Sequence, residues 1–145
     1  MDTLSKLLLA TVCRSTHHKL VVDALWQMRP ANAEAWRNLL LCEYRDLLRS
    51  AKAPDDDFKD FRNHVLHVSE NYWGGAVASC AFWYEQAVSN LRAENWTSAA
   101  YDLGVLSHYY SDPHMPFHTG QSEAETKVHR AAEWSVTKSY DQLRA

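Results

Sequence analysis

The sequence predicts an all-α protein: a compact single-domain helical bundle of about five main helices over residues 1–145. Apolar residues recur at the i, i+3, i+4 spacing of amphipathic helices along most of the chain, and strand-like alternation is absent from it. Four glycines and four prolines are the few interruptions in 145 residues, of which 46% are hydrophobic and 23% charged. This length and composition are sufficient for one globular domain with one core.

Two helices are predicted in the N-terminal third. The first spans residues 4–28, with a kink near residues 14–16, and ends before Pro30 because the residue preceding a proline is disfavoured in the helical region. Asn32 is a candidate N-cap for the second helix, which spans about residues 33–51.

Two more helices follow a break in the pattern after residue 51. The third is predicted over about residues 76–94, with an apolar stripe that includes Val77 and Tyr84. The fourth begins after Asn95 or Thr97 and ends at Asp112, because the proline that follows cannot continue a helix.

The fifth helix is predicted to reach about Leu143. Ser122 and Glu125 form the capping-box pattern S-x-x-E, which is typical of a helix start. Residues 115–117, which precede it, are predicted to be extended.

Composition and charge exclude several classes of function. The net charge is −3 with histidine neutral, so a general nucleic-acid-binding surface is not indicated. No stretch approaches the roughly 20 apolar residues of a membrane span, and the short apolar run at the N-terminus does not match a signal peptide. The chain is therefore expected to be cytoplasmic. Cys13, Cys42 and Cys80 are expected to be reduced, buried thiols.

Histidines and carboxylates at helical spacing indicate a metal site. His108 and Asp112 are four residues apart, and so are His129 and Glu133, while His118 lies between the pairs. A spacing of i, i+4 places both members of a pair on one helix face. Nitrogen and oxygen donors without cysteine favour catalytic zinc over structural zinc. His17, in phase with apolar neighbours, is predicted to face the core.

The segment AAYDLGVLSHYYSDPHMPFHTG, residues 99–120, resembles the zinc-dependent phospholipase C and P1/S1 nuclease superfamily. The shared pattern is H-x-x-x-D, then a histidine six residues after the aspartate with a proline two residues before it, and later H-x-x-x-E or H-x-x-x-D. In this sequence the proline is Pro116, and the last carboxylate is Glu133, which favours the phospholipase side.

The resemblance extends toward the N-terminus in the order of the family. The stretch THHKLVVDAL is similar to the first ligand helix, with His17 in the ligand position. Ala53-Pro54-Asp55 is similar to a turn that supplies a carboxylate, and His64 to the histidine that follows it. The spacing from Asp55 to His64 is shorter than in the family, so Asp56 or Asp57, and His67, are alternative ligands.

What the resemblance implies is a centre of two or three zinc ions, with iron and manganese as open alternatives. Relatives complete a third site with an N-terminal tryptophan, whereas this chain starts at Met1 with no tryptophan nearby. The implied ligand sets are Asp55, His64, His108 and Asp112 for one ion; His118, His129 and Glu133 for a second; and His17 with a bridging Asp112 for a third. Asp55 and Asp112 are the implied catalytic carboxylates, which orient the attacking water.

The predicted function is phospholipase C-like, metal-dependent hydrolysis of a lipid or small-molecule phosphodiester. The alternatives are a nuclease or nucleotide phosphodiesterase on the same scaffold, and a metal-binding helical protein with other metal chemistry. The oligomeric state is left open. Five aromatic residues near the ligands in sequence are predicted to be mostly core, and they are Phe58, Phe61, Tyr72, Trp73 and Phe117.

Overall fold

A computed structural model describes residues 3–120 and 123–143 of the protein and confirms the all-α class. Within these ranges the chain forms seven α-helices, and its β-structure is limited to a single bridge between His67 and Trp73. The helices are α1 (Thr3–Thr11), α2 (Thr16–Gln27), α3 (Ala33–Cys42), α4 (Tyr44–Ser50), α5 (Ala76–Arg92), α6 (Trp96–Ser111) and α7 (Glu123–Leu143).

The first two predicted helices are each divided into two. The predicted kink near residues 14–16 is a complete break, because Ser15 adopts an extended conformation and its side chain accepts a hydrogen bond from the backbone N–H of His18 as the N-cap of α2. The second predicted helix is interrupted at Glu43, whose φ of −97° and ψ of 24° lie outside the helical region. Local backbone conformation thus divides helices that apolar periodicity alone would continue.

The later helices agree with the prediction to within about two residues. Helix α6 ends at Ser111, one residue before the predicted end at Asp112. The prediction that residues 115–117 are extended is wrong beyond Met115, because Pro116–His118 forms a 3-10 turn. Ser122 of the predicted capping box lies outside the described residues.

Helix α6 is the central element of the bundle and packs against α2, α4 and α5. Its buried residues include Ala99, Ala100, Val105 and Tyr109, each at most 1% exposed. A hydrophobic cluster from α2, α3 and α4 packs around Ala100. The position of α6 matters because its C-terminal end carries residues of the candidate site.

Between α4 and α5 the chain runs through short turns rather than helices. Pro54–Phe58 forms a π-helical turn, and Phe61–His64 and Val68–Glu70 form 3-10 turns. This segment buries Pro54, whereas most of its aromatic side chains lie toward the surface. The prediction that the nearby aromatic residues are mostly core is therefore wrong: the exposed fractions are 37% for Phe58, 65% for Phe61, 65% for Tyr72 and 46% for Trp73.

The apolar stripe predicted on α5 is also wrong at Val77 and Tyr84. Val77 and Tyr84 are 65% and 60% exposed, whereas Ala76 and Ala87 are 1% exposed. The small residues of α5 therefore provide its buried face. The three cysteines are free, as expected, but Cys42 is exposed rather than buried. No helix among the described residues is long and apolar enough to cross a membrane.

Gly104 permits the close approach of α6 to α4. A Cβ atom at this position would lie 1.9 Å from Ser50 Oγ and 2.4 Å from the Leu47 carbonyl oxygen. Ser50 is fully buried and its hydroxyl donates to the same carbonyl at 3.1 Å, so it has no room to move aside.

We predict that Gly104→Ala lowers the free energy of unfolding by about 1–3 kcal/mol, the usual cost of overpacking. This loss occurs although alanine is the better helix former by about 1 kcal/mol. Urea denaturation followed by circular dichroism measures it. Gly120→Ala is the control, since a Cβ there meets nothing closer than Ser69 Oγ at 4.0 Å. Equal stability of the two variants would contradict the prediction.

Candidate metal centre

Five parts of the fold bring histidine and carboxylate side chains together in the protein interior. Helix α6 and the turn after it supply His108 and Asp112, which are 0% and 5% exposed. The other contributions come from α2, from the turns between α4 and α5, from the turn Pro116–His118 and from α7. Burying several such groups is costly unless each has a partner or binds a metal ion.

The first group surrounds the His108 imidazole and contains Asp55, His64 and His108. Asp55 Oδ1 lies 3.7 Å from His64 Nδ1 and 3.7 Å from His108 Nε2. The two imidazole nitrogens are 3.1 Å apart. Asp112 Oδ2 lies 2.7 Å from His64 Nδ1 and 3.2 Å from His108 Nε2, which adds a fourth donor.

These separations fit a tetrahedral metal site. Zinc binds nitrogen and oxygen ligands at about 2.0–2.1 Å, so neighbouring donors in a regular tetrahedron are about 3.3 Å apart. The donor separations of the first group extend from 2.7 to 3.7 Å and bracket that value. The donor set, two imidazoles and two carboxylates, is also one that zinc prefers.

The second group contains His118, His129 and Glu133. His129 Nε2 lies 3.2 Å from His118 Nε2 and 2.8 Å from Glu133 Oε1. His118 Nε2 lies 3.4 Å from the same carboxylate oxygen. Three protein donors leave one tetrahedral position for water or substrate, which is the arrangement of catalytic zinc.

The third group contains His17, His108 and Asp112. His17 Nε2 lies 3.5 Å from Asp112 Oδ1, and the His17 ring stacks on the His108 ring at 3.9 Å. Since Asp112 Oδ2 faces the first group, the two oxygens of this carboxylate face different groups. The geometry therefore matches a carboxylate that bridges two positions.

The sequence-based alternatives lie outside these three groups. Asp56 and Asp57 are 65% and 51% exposed. His67 pairs with Glu70 at 3.3 Å and packs against the Trp73 ring. The structure thus brings together Asp55 and His64 rather than the alternatives. The distinction follows from the π-helical turn, which leaves the other two aspartates on its outer side.

Neighbouring groups fix the orientation of the buried imidazoles. His108 Nδ1 lies 2.8 Å from the Ala51 carbonyl oxygen. Because a carbonyl only accepts, Nδ1 carries a proton and donates it, so Nε2 is the nitrogen that faces the first group. Protonated, Nε2 donates to Asp112; deprotonated, it offers its lone pair to a metal ion. Histidine ligands of metals are commonly oriented by such a hydrogen bond. Ser111 Oγ plays a comparable role for His17 Nδ1 at 3.2 Å.

Asp60 is a further carboxylate beside the first group that the sequence did not single out. Its Oδ2 accepts hydrogen bonds from Tyr109 OH and Asn63 Nδ2, both at 2.7 Å. Its Oδ1 lies 3.4 Å from His64 Nε2, on the side of the ring away from the first group. The i, i+4 spacing of Asp60 and His64 was the available signal.

The side chains of the cluster shift one another's pKa values. Burial acts to raise the pKa of Asp112, but hydrogen bonds from His108 and His64 outweigh it and hold the pKa well below its usual range. Burial acts to lower the pKa of His108, but the hydrogen bond and the charge of Asp112 outweigh it and raise this pKa. A hydrogen bond from His118 lowers the pKa of Glu133. The carboxylates are therefore ionised at neutral pH, as metal ligands must be.

A cavity of about 480 Å³ opens onto the centre. Its wall contains members of all three groups, namely His17, Asp55, Asp112 and Glu133, and it also contains apolar side chains of α2 and α7. A small ligand in this cavity would contact the candidate ligands directly. The arrangement is suited to activating a water molecule against a bound substrate.

Comparison with known proteins adds one finding. A family model described as zinc-dependent phospholipase C matches residues 16–143 of the chain. No curated protein and no solved structure matches it.

Because the imidazole of His17 is largely buried, we expect the free energy of unfolding of the metal-free protein to depend on pH. Burial and the adjacent His108 lower the pKa of His17 from 6.5 to about 4. The unfolded chain therefore binds a proton between these values while the folded protein does not, so stability present above pH 6.5 is lost as the pH falls toward 4.

We predict that His17→Gln, which does not titrate, removes a contribution on the order of 2 kcal/mol from this pH dependence between pH 7.5 and 5. Denaturant unfolding of chelator-treated protein at pH 7.5, 6 and 5 measures it. Comparing the variant with the parent cancels the opposite slope expected from His108. If the free energy of unfolding changed with pH in the same way for both proteins, His17 would not be the origin of the pH dependence.

Proposed function

This chain belongs to the zinc-dependent phospholipase C family, and we propose on that basis that it is a metal-dependent phosphodiester hydrolase acting on a lipid or other small phosphodiester. The family match covers nearly the whole bundle, and the all-α fold agrees with it. The observation that carries the proposal is the convergence of three metal-ligand groups at one cavity.

We assign the ligands by group. Asp112 is shared, because its oxygens face both the first group and His17. Two filled sites are sufficient for the chemistry, and the third, with His17 and the shared Asp112 as its donors, is the weaker. In this assignment, the first ion binds Asp55, His64, His108 and Asp112; the second binds His118, His129 and Glu133; and the third binds His17 and Asp112.

The bound zinc ions would supply Lewis acidity and a water whose pKa is low enough for hydroxide to form near neutral pH. The side chains supply position and proton transfer. Asp55 is 30% exposed on the cavity wall, so its carboxylate can accept a hydrogen bond from a water in the cavity and orient it toward a phosphorus atom. Asp112 is buried, but hydrogen bonds from His108 and His64 keep its carboxylate ionised, so that it can hold the centre together.

The cavity favours a small or lipid phosphodiester over a long nucleic acid. Among its lining residues Lys52 is the one lysine or arginine, whereas proteins that bind nucleic acid need several cations to contact successive phosphates. Leu20, Met115 and Val136 give the wall an apolar portion that matches the glycerol and acyl part of a phospholipid. The net charge of −3 supports the same choice.

We predict that His118→Ala reduces kcat/KM for short-chain phosphatidylcholine by more than about 100-fold, since removing a ligand costs at least as much as removing a group that orients one. Release of the phosphorylated head group is the assay, and a zinc chelator abolishes it in the parent protein. His67→Ala is the matched control, because His67 lies outside the three groups and pairs with Glu70.

Single-stranded DNA tested beside the lipid separates the two hydrolase classes. Cleavage of DNA with no release of lipid head group would favour the nuclease alternative on the same centre. Parent-level lipid hydrolysis by His118→Ala would contradict the assignment of the second group to catalysis.

A further inference from the structure

Lys52 lies at the edge of the metal-ligand cluster, and neither the sequence pattern nor the family match singles it out. It follows α4, lines the cavity and has a side chain that is 27% exposed. Its Nζ pairs with Asp55 Oδ2 and lies 3.8 Å from Asp56 Oδ1. Its ammonium group is therefore in direct contact with one candidate ligand of the first group.

The two oxygens of Asp55 have different partners. Oδ1 lies 3.7 Å from both His64 Nδ1 and His108 Nε2, while Oδ2 pairs with Lys52. A carboxylate held in this way presents only one oxygen to the imidazole nitrogens. The hydrogen bond from Lys52 thus selects the orientation in which Oδ1 completes the first group.

The backbone of Lys52 supports the same arrangement. Its carbonyl oxygen accepts hydrogen bonds from the backbone N–H groups of Asp55 at 3.2 Å and Asp56 at 3.0 Å. These bonds fix the start of the π-helical turn, and the side chain fixes the carboxylate that the turn carries. Lys52 therefore orients Asp55 through both its backbone carbonyl and its side chain.

A nearby ion pair shows why this contact differs from an ordinary surface pair. Arg49 lies 3.9 Å from Asp57 on the same turn, but the two side chains are 71% and 51% exposed. Exposed pairs of this kind contribute little to stability. The Lys52–Asp55 pair is more buried, and its carboxylate also faces two buried imidazoles.

We propose that Lys52 is a positioning residue that orients Asp55 for metal binding at the first site. The proposal rests on the proposed function, since it assumes that the first group binds zinc. Groups that orient a metal ligand typically contribute 10- to 100-fold to metal affinity. Lys52 is expected to act on the first site and to leave the second site, on α7 and the turn before it, unaffected.

Zinc binding tests the proposal directly. Affinities are measured by chelator competition on parent protein, Lys52→Met, Lys52→Arg and Arg49→Met, each also carrying His129→Ala in a parallel series to remove the second site. We expect Lys52→Met to weaken binding at the first site by 10- to 100-fold. Lys52→Arg, which retains a cationic donor, should recover most of the affinity, and Arg49→Met should bind like the parent.

The outcomes separate this inference from the proposed function. Parent-level affinity in Lys52→Met would overturn the positioning role and leave the metal centre intact. Failure of the parent protein to bind zinc would overturn both. Circular dichroism verifies folding, and Lys52→Gln, which retains a hydrogen-bond donor without the charge, provides a second variant. Parent-level affinity in Lys52→Gln, together with failure of Lys52→Arg to recover affinity, would also overturn the requirement for a cation.

Discussion

The rest of the structure depends on the burial of a histidine and carboxylate cluster at the end of α6. His108, His64, Asp112 and His118 are 0%, 2%, 5% and 9% exposed, although each is a polar or ionisable group. Burial of this kind requires that almost every donor and acceptor have a partner. Several elements converge on one point and supply many of these partners: the Ala51 carbonyl oxygen accepts a hydrogen bond from His108 Nδ1, and Asp60 Oδ1 lies 3.4 Å from His64 Nε2. His64 Nε2 and His118 Nδ1 remain buried without a hydrogen-bond partner among the described residues.

Asp112 is the residue that joins the parts of this cluster. Its Oδ2 contacts two histidines of the first group and lies 3.9 Å from His118 Nδ1, while its Oδ1 faces His17. One carboxylate therefore connects α2, α6 and the turn that carries His118. The following proline ends the helix at this point, so that the chain turns and brings His118 back toward the same interior. The end of α6 therefore also positions two of the candidate ligands, Asp112 and His118.

Residue spacing alone predicted the local parts of the site, whereas Asp55 and His64 came from the resemblance to the family. His108 with Asp112, and His129 with Glu133, are each one helical turn apart, so periodicity alone places them on common faces. Asp60 and Lys52 were missed because their roles depend on contacts across the fold or on the exact path of a turn. The break at Glu43 was missed, and the one at Ser15 was predicted only as a kink, since apolar spacing continues through both. The exposed aromatic residues were wrongly assigned to the core because hydrophobicity does not reveal a segment that lies outside the bundle.

We propose that the three convergent groups bind zinc. Elemental analysis of protein purified without added metal, against protein concentration, tests this proposal. We predict two or three zinc ions per chain, and a loss of about one ion in Glu133→Gln, which removes the carboxylate of the second group. A single iron ion per chain, or no metal at all, would contradict it.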